Sequence, residues 1–190
     1  MLDSMVKVRP RGPRGFTLVE VMVVLVIVGV LAVIGVAALY RYVFSAKTSE
    51  ALSVIQSIRV AEEGFRAENQ RYLNVSGTLN EYYPTKEPGR AKRSFFLAEP
   101  DGSDLDRRWR LLAPKVTGPV QFGYSVVAGA AGQDMAVPNT QNKPAWPAAA
   151  DVAEPWYVIE AKGDVDADGI ATMIVACSLS GDAYIENEGS

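Results

Sequence analysis

Twenty consecutive uncharged residues, Val21 to Tyr40, constrain this chain more than any other stretch of it. At 1.5 Å of rise per residue, a helix over them is about 30 Å long, the thickness of a bilayer's hydrocarbon core. The many valines would favour a strand in water, but a lone segment in lipid must satisfy its own backbone hydrogen bonds and is therefore helical. Gly29 and Gly35 are its weak points, each costing up to about 1 kcal/mol relative to Ala. Glu20, at the head of the run, does not suit a plain anchor. A lone carboxylate in lipid costs roughly 2.5 to 3.5 kcal/mol on insertion scales, so a charge held there calls for a partner.

The residues before the run are Lys7, Arg9, Arg11 and Arg14, set among glycines and prolines. An ordinary secretory signal has its apolar region before the cleavage site, whereas here it follows Gly15. Basic residues on the N-terminal side orient a single span with that side cytoplasmic. The stretch Gly15-Phe16-Thr17-Leu18-Val19-Glu20, after a short basic leader and before a long apolar helix, resembles the signature of type IV prepilins and pseudopilins.

The resemblance implies a leader over residues 1–15, cut by a membrane prepilin peptidase between Gly15 and Phe16, with Phe16 becoming the N-methylated terminus. It implies that Glu20 pairs with the Phe16 ammonium of a neighbouring copy as the filament grows. Its expected partners are further copies of the chain, other pilins, the peptidase and an inner-membrane assembly platform. The location implied is the inner membrane, with a periplasmic C-terminal domain, and then an extracellular pilus or a periplasmic pseudopilus. Many pilins carry Pro eight residues beyond the position of Gly29; Ala37 stands there instead. That departure is shared with minor pilins and pseudopilins.

With 190 residues the chain has room for one domain beyond the helix. One cysteine, Cys177, excludes an intramolecular disulfide, and the absence of His removes the commonest general base. No nucleophile with an activating base and no phosphate loop appears, so an enzyme is not expected. A net charge of −3 gives no general attraction to nucleic acid.

From Arg41 the pattern becomes amphipathic. Ala51, Val54, Ile55, Ile58, Ala61, Phe65 and Tyr72 form one apolar stripe, while Arg59, Glu62, Glu63, Arg66 and Glu68 occupy the remaining surface. The helix is expected from near Phe16 to about Asn69, its first half (16–40) in the membrane and its second (41–72) on a sheet. Residues 73–120 read as a helix-to-sheet loop region punctuated by Pro and Gly, with Trp109 covering a sheet edge. Lys86 to Lys115 hold eight Lys or Arg against five acids, whereas from Asp134 onward there are two Lys against ten acids. That asymmetry suits subunit contacts; the interleaved acids weigh against a DNA-binding patch.

Residues 121–190 are expected to form an antiparallel sheet of four strands: Gln121 to Ala128, Trp156 to Ala161, Ile170 to Cys177 and Ala183 to Glu186. Residues 129–155, rich in Ala, Gly and Pro, read as an excursion outside the core. The fold class is α+β, a long N-terminal helix on a small antiparallel sheet.

Between the second and third strands lies Gly163-Asp164-Val165-Asp166-Ala167-Asp168-Gly169. Asp164, Asp166 and Asp168 match the first half of a calcium loop, but its twelfth position is Val175 where a Glu belongs. The alternative is a hairpin turn with solvated acids. No cofactor is required, and Ca2+ is the one ion the pattern admits. The leading function is a structural subunit, major or minor, of a type IV pilus-like filament for motility or adhesion. The alternative is a type II secretion pseudopilin, and a more distant rival is a membrane-anchored binding domain that never polymerises.

Overall fold

The computed structural model describes residues 15–96, 100–142 and 152–188. Most of the expected leader, residues 1–14, lies outside them. The chain divides into two compact units, Met1–Tyr40 and Arg41–Ser190. Helix α1, Leu18–Asn69, begins in the first and ends in the second.

In the first unit, Leu18–Val36 is long and apolar enough to cross a membrane once, and none of it is buried within the chain. Gly29 and Gly35 lie inside this helix.

The second unit is an antiparallel sheet in the order β3 (Gly123–Gly129), β4 (Trp156–Gly163), β5 (Thr172–Cys177), β6 (Ala183–Glu186). The register pairs Gly129 with Trp156 at one end of β3 and β4, and Gly123 with Lys162 at the other. Because side chains alternate along a strand, one face presents Tyr124 and Val126, Tyr157, Ile159 and Ala161, and Ile174 and Ala176. Against it packs the expected stripe of α1, with Ala51, Val54, Ile55 and Ile58 buried. Each buried Val or Ile contributes about 1.5 to 3 kcal/mol. The helix ends where Gln70 turns left-handed at φ 59°, its N–H donating to the Arg66 carbonyl.

The loop region carries its own elements: β1 (Arg93–Ser94) pairs with β2 (Pro119–Val120), and α2 spans Asp104–Leu112. Ser103 caps α2 by accepting from the Asp106 N–H at 3.0 Å. This helix carries Trp109 into the core. Trp109 is more than an edge cover: it is 0 % exposed, stacked 5.6 Å from Tyr83 and edge-on to Phe95.

Two further expectations are corrected. The excursion after β3 is core in part: Met135 and Val152 are buried with Leu79, Trp156, Val158, Val175 and Cys177, forming a second cluster on the other face of the sheet. Two strand carboxylates fasten it. Glu160, fully buried on β4, accepts from the Asn139 N–H at 2.8 Å and from the Tyr82 hydroxyl. Glu186 on β6 accepts from the N–H groups of Gln141 and Asn142, both at 2.8 Å, and these hold its carboxyl below the usual range. The alternation that buries Val158 and Val175 on this face needs a cover, and a loop of small residues with polar backbone tied to carboxylates supplies one.

Glu62, expected on the helix surface, is 0 % exposed. One oxygen accepts from the Leu73 N–H at 2.9 Å and the other is buried without a hydrogen-bond partner. The chain doubles back after Asn69, and Glu62 satisfies the returning backbone. Burial, opposed by that N–H and reinforced by the neighbouring Glu63, pushes the Glu62 carboxyl up to about 8. A carboxyl raised in the folded state favours folding while it stays protonated. That contribution is full below its ordinary value near 4.5 and is lost as pH rises through about 8. Replacing Glu62→Gln should therefore flatten the fall in Tm of the detergent-solubilised chain between pH 5 and pH 8.5, a loss of up to roughly 4 kcal/mol in the unsubstituted chain. Parallel Tm-against-pH curves for the two chains would overturn this account of Glu62.

Candidate functional site

The head of α1 is built by residues that read the helix start in both directions. Thr17 precedes the helix, and its hydroxyl accepts from the Glu20 N–H at 3.2 Å. Glu20 reaches back: its Oε2 accepts from the Thr17 N–H at 2.9 Å and from the Thr17 hydroxyl at 2.8 Å. This is a capping box, Thr at the cap and Glu three residues on, which satisfies backbone donors that a helix start leaves open. The sequence expectation of a carboxylate with no partner in its own chain is thus corrected. The Thr-x-x-Glu spacing was present in residues 17 to 20 and signals a capping box by itself.

The correction leaves chemistry unspent. All the bonds to Glu20 go to Oε2, and among the described residues Oε1 has no partner. The carboxylate is oriented by the cap and still open to a cation. Gly15 and Phe16 precede it outside the helix, and Phe16 is 87 % exposed.

The second sequence candidate is the turn between β4 and β5. Asp164, Asp166 and Asp168 each bring a carboxylate oxygen within 4.8 Å of the others. The turn closes itself. Asp164 accepts from the N–H groups of Ala167 at 2.7 Å and Gly169 at 3.2 Å, and Asp168 accepts from Ile170 at 2.7 Å. Gly169 at φ 88° and Ala167 at φ 63° supply the left-handed geometry. The Lys47 ammonium donates to the Val165 carbonyl at 3.2 Å and brings a fixed positive charge to the turn.

Calcium takes six to eight oxygens. The residues that would complete the loop are Thr172, whose hydroxyl donates to the Asn187 carbonyl, and Val175, which is buried in β5. The donor set therefore does not fit a dedicated calcium loop, and no step is assigned to the ion. Cys177 is a buried free thiol in the second core cluster.

An apolar, unburied helix headed by Gly-Phe-Thr-Leu-Val-Glu, followed by an antiparallel sheet laid on the same helix, defines a type IV pilin-like protein. The family described as the prokaryotic N-terminal methylation motif matches residues 10–36, and the chain is similar to a type IV pilin and to a type II secretion core protein. It is 36 % identical over 70 residues to the type IV major pilin protein PilA of Myxococcus xanthus (strain DK1622), covering 37 % of this chain and 31 % of that one. The match thus spans about a third of that relative's length. It is 27 % identical over 133 residues to the type II secretion system core protein G of Aeromonas hydrophila, covering 68 % of this chain and 93 % of the relative. No solved structure matches the chain.

Because the acidic turn is held by its own N–H groups, millimolar EDTA should leave the Tm within about 1 °C. Asp164→Ala should lower it by roughly 2 to 6 °C, the loss of two charge-assisted hydrogen bonds in a chain of this size. A rise of several degrees on adding calcium would show that the turn completes a coordination sphere after all.

Proposed function

We propose that this chain is a structural subunit of a type IV pilus-like filament, serving surface motility or adhesion. In this reading a prepilin peptidase cuts between Gly15 and Phe16, Phe16 is N-methylated, and the processed chain waits in the inner membrane with residues from Arg41 onward in the periplasm. An assembly platform then extracts it into a filament with further copies and other pilins.

The observation that carries the proposal is Glu20, a carboxylate pre-oriented by Thr17 at the head of an unburied apolar helix, with Oε1 unused. In an assembled bundle of such helices the ammonium of a neighbour's Phe16 supplies the missing charge. Pairing is worth most where water is excluded, because a buried charge left alone costs about 3 to 5 kcal/mol.

A type II secretion pseudopilin is the second reading, favoured by the match that covers 93 % of core protein G. Both readings use Gly15, Phe16 and Glu20 in the same roles. They differ in where the polymer ends up.

The N-terminal sequence and intact mass of the chain should therefore be taken from membranes and from filaments sheared off the cell. Methylated Phe16 in the sheared fraction is the expected result; the same processed chain confined to membranes would favour the pseudopilus. A chain beginning before Gly15 in both fractions would sink polymerisation through Phe16 and favour an anchored binding domain. Glu20→Ala should cut incorporation into polymer at least about a hundredfold while leaving cleavage intact, the fold-change for roughly 3 kcal/mol of lost pairing.

A further inference from the structure

The unit Arg41–Ser190 is polar in charge along its strands. At the end of the sheet where Gly129 pairs with Trp156 lies a cleft of about 610 Å³. Arg71 and Arg108 line it with Asn74 and Gln133, and no Asp or Glu is among its lining residues. The two amides are fixed to the cleft's own backbone: Asn74 Oδ1 accepts from the Ala128 N–H at 3.4 Å, and Gln133 Oε1 from the Ala130 N–H at 2.8 Å.

Arg108 gives one nitrogen to the Val75 carbonyl at 3.3 Å, while Arg71 makes no hydrogen bond or ion pair among the described residues. Two acids next to lining residues are already engaged, Glu154 with Arg66 at 2.7 Å and Glu63 with the Tyr72 hydroxyl at 2.8 Å. Two guanidiniums in a lining without a carboxylate make a receptor for an anionic, oxygen-rich group.

The opposite end of the same strands carries the complementary surface. The turn holding Asp164, Asp166 and Asp168 joins Gly163 of β4 to Thr172 of β5, and it is tied beside Lys47 of α1, whereas the cleft begins at Gln70. Eight residues of strand separate the two ends by about 26 Å. Along α1, the twenty-two steps from Lys47 to Asn69 put about 33 Å between the turn and the start of the cleft. Asp166 spends neither oxygen on a hydrogen bond among the described residues, so it is as unspent as Arg71.

We propose that the Arg71–Arg108 cleft of one copy receives the Asp164–Asp168 turn of the next copy. An antiparallel two-fold pair would close both sites at once, but copies whose apolar helices share one membrane orientation join cleft to turn only head to tail, a contact that repeats as an open chain and generates a filament. The proposal rests on the polymerisation proposed above and names the contact its folded units make. It gives the charge asymmetry of the sequence, basic through Lys115 and acidic from Asp134 onward, a place to act.

The full-length chain in cells provides the test. Arg71→Cys and Asp166→Cys are placed together in one chain, and polymer is treated with a short bis-maleimide linker. A ladder of covalent dimers, trimers and higher species is expected for the double variant, with no ladder from either single variant or from the chain whose only thiol is the buried Cys177. In a second arm Arg71→Glu lowers polymer yield at least tenfold, and Arg71→Glu with Asp166→Arg restores it to within about twofold of the unsubstituted chain.

Normal polymer without a ladder overturns the contact and leaves the filament reading standing. Loss of polymer with Arg71→Glu that Asp166→Arg does not rescue, again without a ladder, also overturns it and points to another acid as the guest. An unsubstituted chain that forms no polymer overturns both proposals.

Discussion

Leu18 to Val36 form a helix whose apolar side chains have no cover from their own chain, and the molecule is arranged around that fact. In water such a surface is a strong drive to associate, at about 25 cal/mol for each Å² of apolar area removed. Two environments remove it: lipid, where the helix spans, and a bundle of like helices, where it packs. A subunit that moves from one to the other exchanges environments of similar polarity, so hydrophobicity alone cannot direct the move. In the assembly proposed above, directionality would have to come from something polar, and Glu20 is the carboxylate at the head of the run. Its capping bond to Thr17 keeps the carboxylate fixed without using both oxygens.

The folded unit solves a different problem, which is to bury both faces of a four-stranded sheet with limited material. One face takes the second half of α1, and helix-on-sheet packing there follows directly from the three-and-four spacing of Ala51, Val54, Ile55 and Ile58. Among the described residues, no helix packs on the other face. It is covered by the segment after β3, which brings few large side chains and so is held largely by hydrogen bonds to Glu160 and Glu186. Carboxylates that accept backbone N–H groups in a shielded place bind more strongly than neutral acceptors. This lets a loop made mostly of small residues stand in for a layer of structure.

The legible parts of the sequence were those set by a single local rule. Helix α1, its end near Asn69, the four strands and the one-face placement of Phe122, Tyr124 and Val126 follow from hydrophobic period and turn residues. What periodicity could not read was long-range compensation. Glu62 lies at a polar position by composition, yet the returning Leu73 N–H, eleven residues on, makes burial tolerable. Trp109 reaches the core only because Ser103 starts a nine-residue helix inside a region that otherwise reads as loop. Among the candidate site residues, the Asp turn was recognisable, but that its carboxylates serve its own backbone was not.

The distribution of hydrogen bonds also bears on how a pilin-like chain can be both stable alone and ready to polymerise. Groups that fold the unit are spent: Glu160, Glu186, Asp164 and Ser103 each accept from backbone N–H groups nearby. Groups at the two ends of the unit are unspent, Arg71 at one and Asp166 at the other, and Glu20 keeps one oxygen in reserve at the head of the apolar helix. An exposed ion pair is worth little in water, about 0 to 1 kcal/mol, so a single pair between folded units cannot drive assembly by itself. In the filament proposed above, the pair would recur at every step beside the packing of the helices around Glu20; the helices would carry the bulk affinity and the charges at the ends of the sheet would set which way the next copy points.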